Sequence, residues 1–412
     1  MSTNRTIAAL DVGSFKVCCF IAHVREGGSI RVIGMSHQAS AGIERGVVTD
    51  MKAAEAAISS AVHAAEQMAG TRVDEIAVSL TGGNPESAVI RRETLIGGNA
   101  IKDIEVKRLL QDCRLSVPLE GRSLIHAVPI GYSIDGSPMT ADPRGMHGQS
   151  LSVQMTAITA STGRIQTLLS CIAKCHLQVS DLVIAPYAAG LASLVEDERD
   201  LGATLIDMGA GTTSMAVFYE GAAVYADVLP VGGGHVTRDI ARGLSTPPQQ
   251  AERLKTLYGS ALRTANDDHE MIDVPALGED RESPPNQVPR SYLNSIIAPR
   301  LEETFELVRE RLEKSGVAGL AGQRVVLIGG ASQLPGAQQL ASQILEKQVR
   351  LGRPLRIAGL AEATGGPAFA TCAGLLAFVV DNRGEARRAA AEKSPVNGGF
   401  FSKMGGWFRE NF

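Results

Sequence analysis

Short, nearly unbroken apolar runs recur along the chain. Each gives way to a tight turn or to a stretch whose apolar positions repeat at helical spacing. Residues 5–12 (Arg-Thr-Ile-Ala-Ala-Leu-Asp-Val) and 16–24 predict two strands joined through Gly13-Ser14-Phe15, and residues 30–37 predict a third that continues the meander. An Ala-rich helix follows over about 51–68, then a strand over 75–80. Strands alternating with amphipathic helices predict an α/β lobe. Thr81-Gly82-Gly83-Asn84-Pro85 punctuates it. Beyond that come a strand near 88–95, a helix at 103–115 and strands near 123–132 and 151–160, before a helix at 163–175 and a strand at 181–185 resume the first pattern. Residues 84–161 therefore read as a small α+β subdomain inserted into the first lobe.

A second α/β lobe begins near residue 201, with a polar, Pro-rich hairpin or loop between 267 and 290 and a long charged helix over about 291–315. The expected division is a first lobe at 1–83 and 162–195, the insert at 84–161, and a second lobe at 196–380. A flexible linker of charged and small residues follows at 381–399, and then a terminal segment at 400–412.

Composition narrows the class. With 412 residues the chain exceeds what one core usually spans, which agrees with two lobes. Its 44% hydrophobic and 20% charged residues are an ordinary globular balance, but 44 glycines are an excess, and they cluster at strand ends. The net charge of −4 without a basic stripe argues against broad nucleic-acid binding. Cys18, Cys19, Cys113, Cys171, Cys175 and Cys372 form no Cys-x-x-Cys pair, and scattered thiols fit a reducing cytoplasm. Asp11 interrupts the first apolar run, so no secretory signal is expected. The apolar stretch 368–380 is too short for a bilayer and reads as a buried helix.

The candidate chemistry lies in a repeated phrase. Ala9-Leu10-Asp11-Val12-Gly13-Ser14-Phe15-Lys16-Val17 opens the first lobe, and Leu205-Ile206-Asp207-Met208-Gly209-Ala210-Gly211-Thr212-Thr213 opens the second. In each, an apolar strand ends in Asp-x-Gly, turns through small residues and re-enters a strand. Glycines admit phosphate oxygens to backbone N–H groups, and small hydroxyl residues add donors without bulk. Lys16 has the reach for a terminal phosphate, and Asp11 and Asp207 suit Mg²⁺ held through its waters. One Asp-x-Gly turn alone is a common hairpin feature. A third element, Val325-Val326-Leu327-Ile328-Gly329-Gly330-Ala331-Ser332, again follows an apolar strand and suits an adenine or ribose lying against backbone.

With these elements the chain resembles the superfamily of actin, sugar kinases and heat-shock chaperones, and within it the FtsA family of bacterial cell-division proteins. The matching residues include His126-Ala127-Val128-Pro129 with Tyr132 and Asp135, and Asp142-Pro143-Arg144-Gly145-Met146 with Gly148. They continue through Val231-Gly232-Gly233 with Thr237-Asp239-Ile240-Ala241, then Ala251-Glu252-Arg253-Leu254-Lys255 and Ile296-Ile297-Ala298-Pro299-Arg300-Leu301-Glu302-Glu303. Gly234 and Arg238 depart from what many members carry. The resemblance implies an actin-like two-lobed ATPase fold with the insert, two connecting helices at 186–194 and 368–378 able to cross closely, and ATP with Mg²⁺ between the lobes. Gly13, Ser14, Lys16, Gly209, Gly211, Thr212, Thr213, Gly233 and Gly330 would hold the nucleotide, with Glu252 and Lys255 flanking ribose and adenine. Without the family, Glu252 and Lys255 would read as an exposed i,i+3 ion pair.

The terminal segment reads as an amphipathic helix. At helical spacing Phe400, Phe401, Met404, Trp407, Phe408 and Phe412 fall within an arc of roughly 140°, with Lys403 and Arg409 on the other side. Docking onto the protein's own core is one reading; the polar linker favours an interfacial membrane anchor with Lys403 and Arg409 near anionic lipid headgroups. The resemblance implies a polymerising adaptor at the cytoplasmic face of the bacterial inner membrane, at the division site. Its implied partners are the C-terminal tail of FtsZ, further copies of itself and later division proteins. Any ATPase activity is expected to be weak. A pilus-assembly relative of the same fold and a metabolic kinase of the superfamily are the alternatives.

Overall fold

Two mixed sheets carry the two lobes. The computed structural model describes residues 5–25, 27–277, 286–355 and 357–391. The first sheet has the order Gln178–Ile184, Glu75–Leu80, Arg5–Val12, Lys16–Val24, Ile30–Ala39, Ile357–Ala358. The second has the order Ala222–Leu229, Thr213–Tyr219, Ala203–Met208, Arg324–Ile328, Gln348–Leu351. In each, an antiparallel hairpin lies beside a parallel strand at its leading edge: Arg5–Val12 beside Glu75–Leu80, and Ala203–Met208 beside Arg324–Ile328. The two hairpins therefore occupy equivalent places.

Helix Met51–Ala69 begins where the Asp50 side chain accepts from the N–H groups of Lys52 and Ala53, and it stops at Gly70 in the left-handed region. Its Ala54, Ala57, Ile58, Ala61, Val62 and Ala65 recur at helical spacing and are buried. With Thr162–Lys174 it covers one face of the first sheet. Helices Ala185–Ser193 and Ala370–Ala391 cover the other face and also reach the second sheet. They cross so closely that a Cβ added at Gly374 would overlap the carbonyl of Ala188. The close crossing implied by the resemblance is present.

The insert is a three-stranded sheet, Glu86–Leu95, Ser150–Ser161 and Arg122–Ile134, with helix Asp103–Leu115 packed on it around its own apolar core. It touches both lobes. His126 Nε2 accepts the Ile184 N–H at 3.0 Å, and its ring meets Tyr187 edge-on, centroids 5.0 Å apart. Burial pushes His126 down to about 3, so it is a neutral acceptor at the entry to the first connecting helix. On the other side Thr156 Oγ1 donates to the Val224 carbonyl at 3.0 Å, and Ser87 Oγ donates to the Ala226 carbonyl at 2.7 Å. The second lobe's outer strand thus rests on the insert.

Two sequence-based boundaries are corrected. The chain leaves the second lobe before residue 380: Ile357–Ala358 pairs with Ile30 and Arg31 of the first sheet, and Phe369, Cys372, Leu375 and Leu376 fill the first lobe's core. The last helix runs to Ala391, past the residue 381 where a linker was expected. The segment Glu385-Ala386-Arg387-Arg388-Ala389-Ala390-Ala391 is rich in strong helix formers, so an established helix continues through it. The rest of the expected linker and the amphipathic segment 400–412 lie outside the described residues. Among the described residues no helix is long and apolar enough to cross a membrane.

Candidate functional site

The repeat seen in the sequence is a repeat in geometry. Val12 faces Val17 across the first hairpin and Met208 faces Thr213 across the second. The Gly13 N–H donates to the Lys16 carbonyl at 3.1 Å, and the Gly209 N–H donates to the Thr212 carbonyl at 2.9 Å. The same four-residue turn is thus built twice, once per lobe. The tips touch: a Cβ on Gly211 would stand 2.6 Å from Ser14 Oγ, so only glycine fits there.

Behind the tips the two strand ends hold three charged groups. Ser79 Oγ donates to Asp11 Oδ1 at 2.7 Å, and Thr371 Oγ1, from the second connecting helix, donates to Asp207 Oδ2 at 3.1 Å. Lys16 Nζ lies 3.2 Å from the centre of the Phe369 ring. Burial raises Asp11, against the Ser79 hydroxyl and the Lys16 charge. Burial and then the Asp11 charge push Asp207 up to about 7, against the Thr371 hydroxyl and Lys16. Burial lowers Lys16, against Cys18, Asp11, Cys372 and Asp207. Two crowded carboxylates against one ammonium leave a net negative, oxygen-rich donor set, which suits a hard divalent cation. This set fits the implied magnesium, and Gly330, with nothing within 4 Å of a Cβ position, leaves open space beside the third loop.

A carboxyl raised in the folded state contributes stability below its unfolded pKa and loses it as the pH climbs to about 7. Asp207→Asn removes that titration. Without divalent cation the variant is expected to melt higher than the parent above a pH of about 7, with the gap closing toward a pH of about 4. A series of melts showing a pH-independent gap would refute the burial of this charge.

The remaining sequence-derived residues separate into two groups. Gly329 backs directly onto Asp207, and its N–H donates to the Pro367 carbonyl at 3.0 Å, tying the third loop to the start of the second connecting helix. Glu252 and Lys255 pair at 2.7 Å, and they are not an exposed pair: Lys255 Nζ also donates to the Gly233 carbonyl at 3.1 Å and Thr237 Oγ1 at 2.8 Å. Gly233 in turn lies against Ala331, so this cluster and the third loop are neighbours. Thr213 and Ser332 differ from the expectation that they face a ligand. Both are buried, the Ser332 hydroxyl donates to the Gly329 carbonyl at 2.8 Å, and the Thr213 hydroxyl has no partner among the described residues. The Gly233 N–H is likewise taken, by the Gly209 carbonyl at 2.9 Å.

Phe369, Thr371 and Ser79 were not singled out in the sequence. Thr371 lies within the stretch expected to form a connecting helix, and nothing in its spacing marks it. A cavity of about 380 Å³ lies elsewhere, lined by Arg309, Leu312, Glu313, Leu345 and Lys347 among others, and includes none of these groups.

Comparison with known proteins adds the family. Residues 204–374 match the model for the cell division protein FtsA, and residues 82–159 match the model for the SHS2 domain inserted in FtsA. The chain is 40% identical to the cell division protein FtsA of Rhizobium meliloti, over 99% of this chain and 95% of that one. It is 31% identical to FtsA of Pseudomonas aeruginosa, over 100% and 99%. Among solved structures it is similar to the PilM-PilN type IV pilus biogenesis complex, with a TM-score of 0.64 and 18% identity over 91% of this chain and 98% of that one. MreB5 of Spiroplasma citri bound to ADP has a TM-score of 0.55 and 13% identity, over 95% and 99%. These structures share the actin-like fold.

Proposed function

Since the chain belongs to the FtsA family of cell division proteins, we propose that it is an ATP-binding, polymerising adaptor that tethers the FtsZ ring to the cytoplasmic face of the membrane. The observation that carries the nucleotide reading is the meeting of two equivalent Asp-x-Gly hairpins from opposite lobes, Ser14 against Gly211. Bound ATP with Mg²⁺ supplies a run of negative charge that both hairpins can grip at once. Asp11 and Asp207 orient the cation's waters and Lys16 offsets phosphate charge. Lys255 and Glu252 border the adenosine side, with the third loop at Gly329 and Gly330. Among the described residues no three metal-binding side chains gather, so a cation here takes its other ligands from water and phosphate.

Attachment falls to residues 400–412, and the long helix Arg290–Lys314 on the second lobe's surface is the proposed seat of the FtsZ tail. The insert is the proposed site of contact with later division proteins and, with the lobes, of self-association. Hydrolysis is expected to be slow, and the role is that of a scaffold whose nucleotide governs assembly.

Titration with a fluorescent ATP analogue tests the nucleotide reading. Saturable, Mg²⁺-dependent binding is expected, weakened at least about tenfold by Asp11→Ala with Asp207→Ala, since charge-assisted contacts are worth roughly 1.5–3 kcal/mol. Absence of saturable binding by the unmodified chain would end it.

A further inference from the structure

A basic cluster brackets the point where the two hairpins meet. Arg45 occupies the turn between the two-residue strands Ile43–Glu44 and Val47–Val48, at a φ of 49°, a left-handed conformation uncommon for a side-chain-bearing residue. A Cβ on Gly211 would stand 3.0 Å from the Arg45 Cα, and the Gly46 N–H donates to Ser14 Oγ at 2.9 Å. The turn that carries Arg45 is thereby pinned to both hairpins.

Helix Gly233–Gly243 reaches the same tip from the other lobe. The Gly233 and Gly234 N–H groups donate to the Gly209 and Ala210 carbonyls at 2.9 and 2.8 Å. His235 and Arg238 follow one turn apart, on one face of that helix. The Gly232 N–H donates to His235 Nδ1 at 3.1 Å, which leaves Nε2 to carry the proton. Burial, then the Arg238 and Arg45 charges, hold His235 below its ordinary value, so it is a neutral donor.

Neither Arg45 nor Arg238 has a carboxylate at ion-pair distance among the described residues, whereas Arg300 is matched by Asp239 at 2.6 Å and by Glu303. Arg45 beside Gly211, and His235 and Arg238 on the helix that begins against Ala210, place two guanidinium groups and an imidazole N–H around one hairpin tip, a combination that suits tetrahedral phosphate oxygens. We propose that Arg45, His235 and Arg238 form a clasp across the lobes that holds a terminal phosphate and makes the chain prefer a nucleoside triphosphate to the diphosphate. This rests on the ATP reading above.

The test is the ratio of ATP to ADP affinity, each with Mg²⁺, measured on the full chain. Arg45→Gln with Arg238→Gln is expected to lower the ratio about tenfold while ADP affinity stays nearly unchanged. Arg242→Gln, exposed on the same helix, should keep the parent ratio. A double variant whose ratio stays within about twofold of the parent, or which loses ATP and ADP equally, overturns the clasp. So does a parent chain with no preference between the two. A parent that binds neither nucleotide removes the ATP reading itself.

Discussion

Gly374→Ala should destabilise the chain by about 2–3 kcal/mol, and Gly374→Val by more, although helix propensity alone favours alanine by about 1 kcal/mol at such a site. The two connecting helices cross at this residue, and an added Cβ would overlap the Ala188 carbonyl and press on Ala189 N, 2.9 Å away. Both are backbone atoms of a buried helix, so neither can rotate aside. The second connecting helix must then move away from the first, and it carries Thr371, which donates to Asp207, with Phe369, which lies under Lys16, just before it. Loss of nucleotide affinity should accompany loss of stability. Gly163→Ala, in helix Thr162–Lys174 with nothing within 4 Å of a Cβ position, is the control and should be neutral or stabilising. Thermal melts of the three variants decide it: if Gly374→Ala melts at or above the parent temperature, the helices do not cross as described.

The elements of this site differ in how far sequence alone reaches. Asp-x-Gly with small residues, flanked by strands, is a local code, and two copies 196 positions apart (207 − 11) reveal each other; hence both turns were legible. The connecting helices were implied by the resemblance, and their Ala and Gly content fits the close crossing found at Gly374. The Ile357–Ala358 strand was not, because two residues carry no period and their partner lies more than 300 positions back. The contact of Ser87 and Thr156 with the outer strand of the second lobe is equally silent, since a surface Ser or Thr looks the same whether it meets water or a carbonyl. The helix beyond residue 381 was misread for a different reason. Its charged and small residues fit a linker by composition, yet Ala, Arg and Glu extend a helix readily once a buried turn has nucleated it. Ser332 follows the same logic: its hydroxyl matched a ligand role by type, while in the fold it donates to the Gly329 carbonyl.

The membrane reading leads to the other large effect. Trp407→Glu with Phe408→Glu should reduce binding to anionic vesicles at least about 100-fold, because each large apolar side chain contributes on the order of 1.5–3 kcal/mol when buried and each new carboxylate meets like charge. The chain's single Trp and four of its ten Phe lie in these last thirteen residues, a density that no other stretch approaches. Gly405 and Gly406 weaken a helix by about 1 kcal/mol each, so one anchor should bind weakly and reversibly. Under the proposed assembly of the body, many anchors on one surface would raise the effective affinity by roughly 10²–10⁴. Nucleotide binding by the variant should be unchanged, since the paired hairpins lie in the body. Co-sedimentation with vesicles, with and without ATP, separates the two functions: the variant should remain in the supernatant in both conditions, and the parent should pellet more completely with ATP. A variant that pellets like its parent would move membrane attachment to another surface. A parent that pellets equally with and without ATP would detach the anchor from nucleotide control.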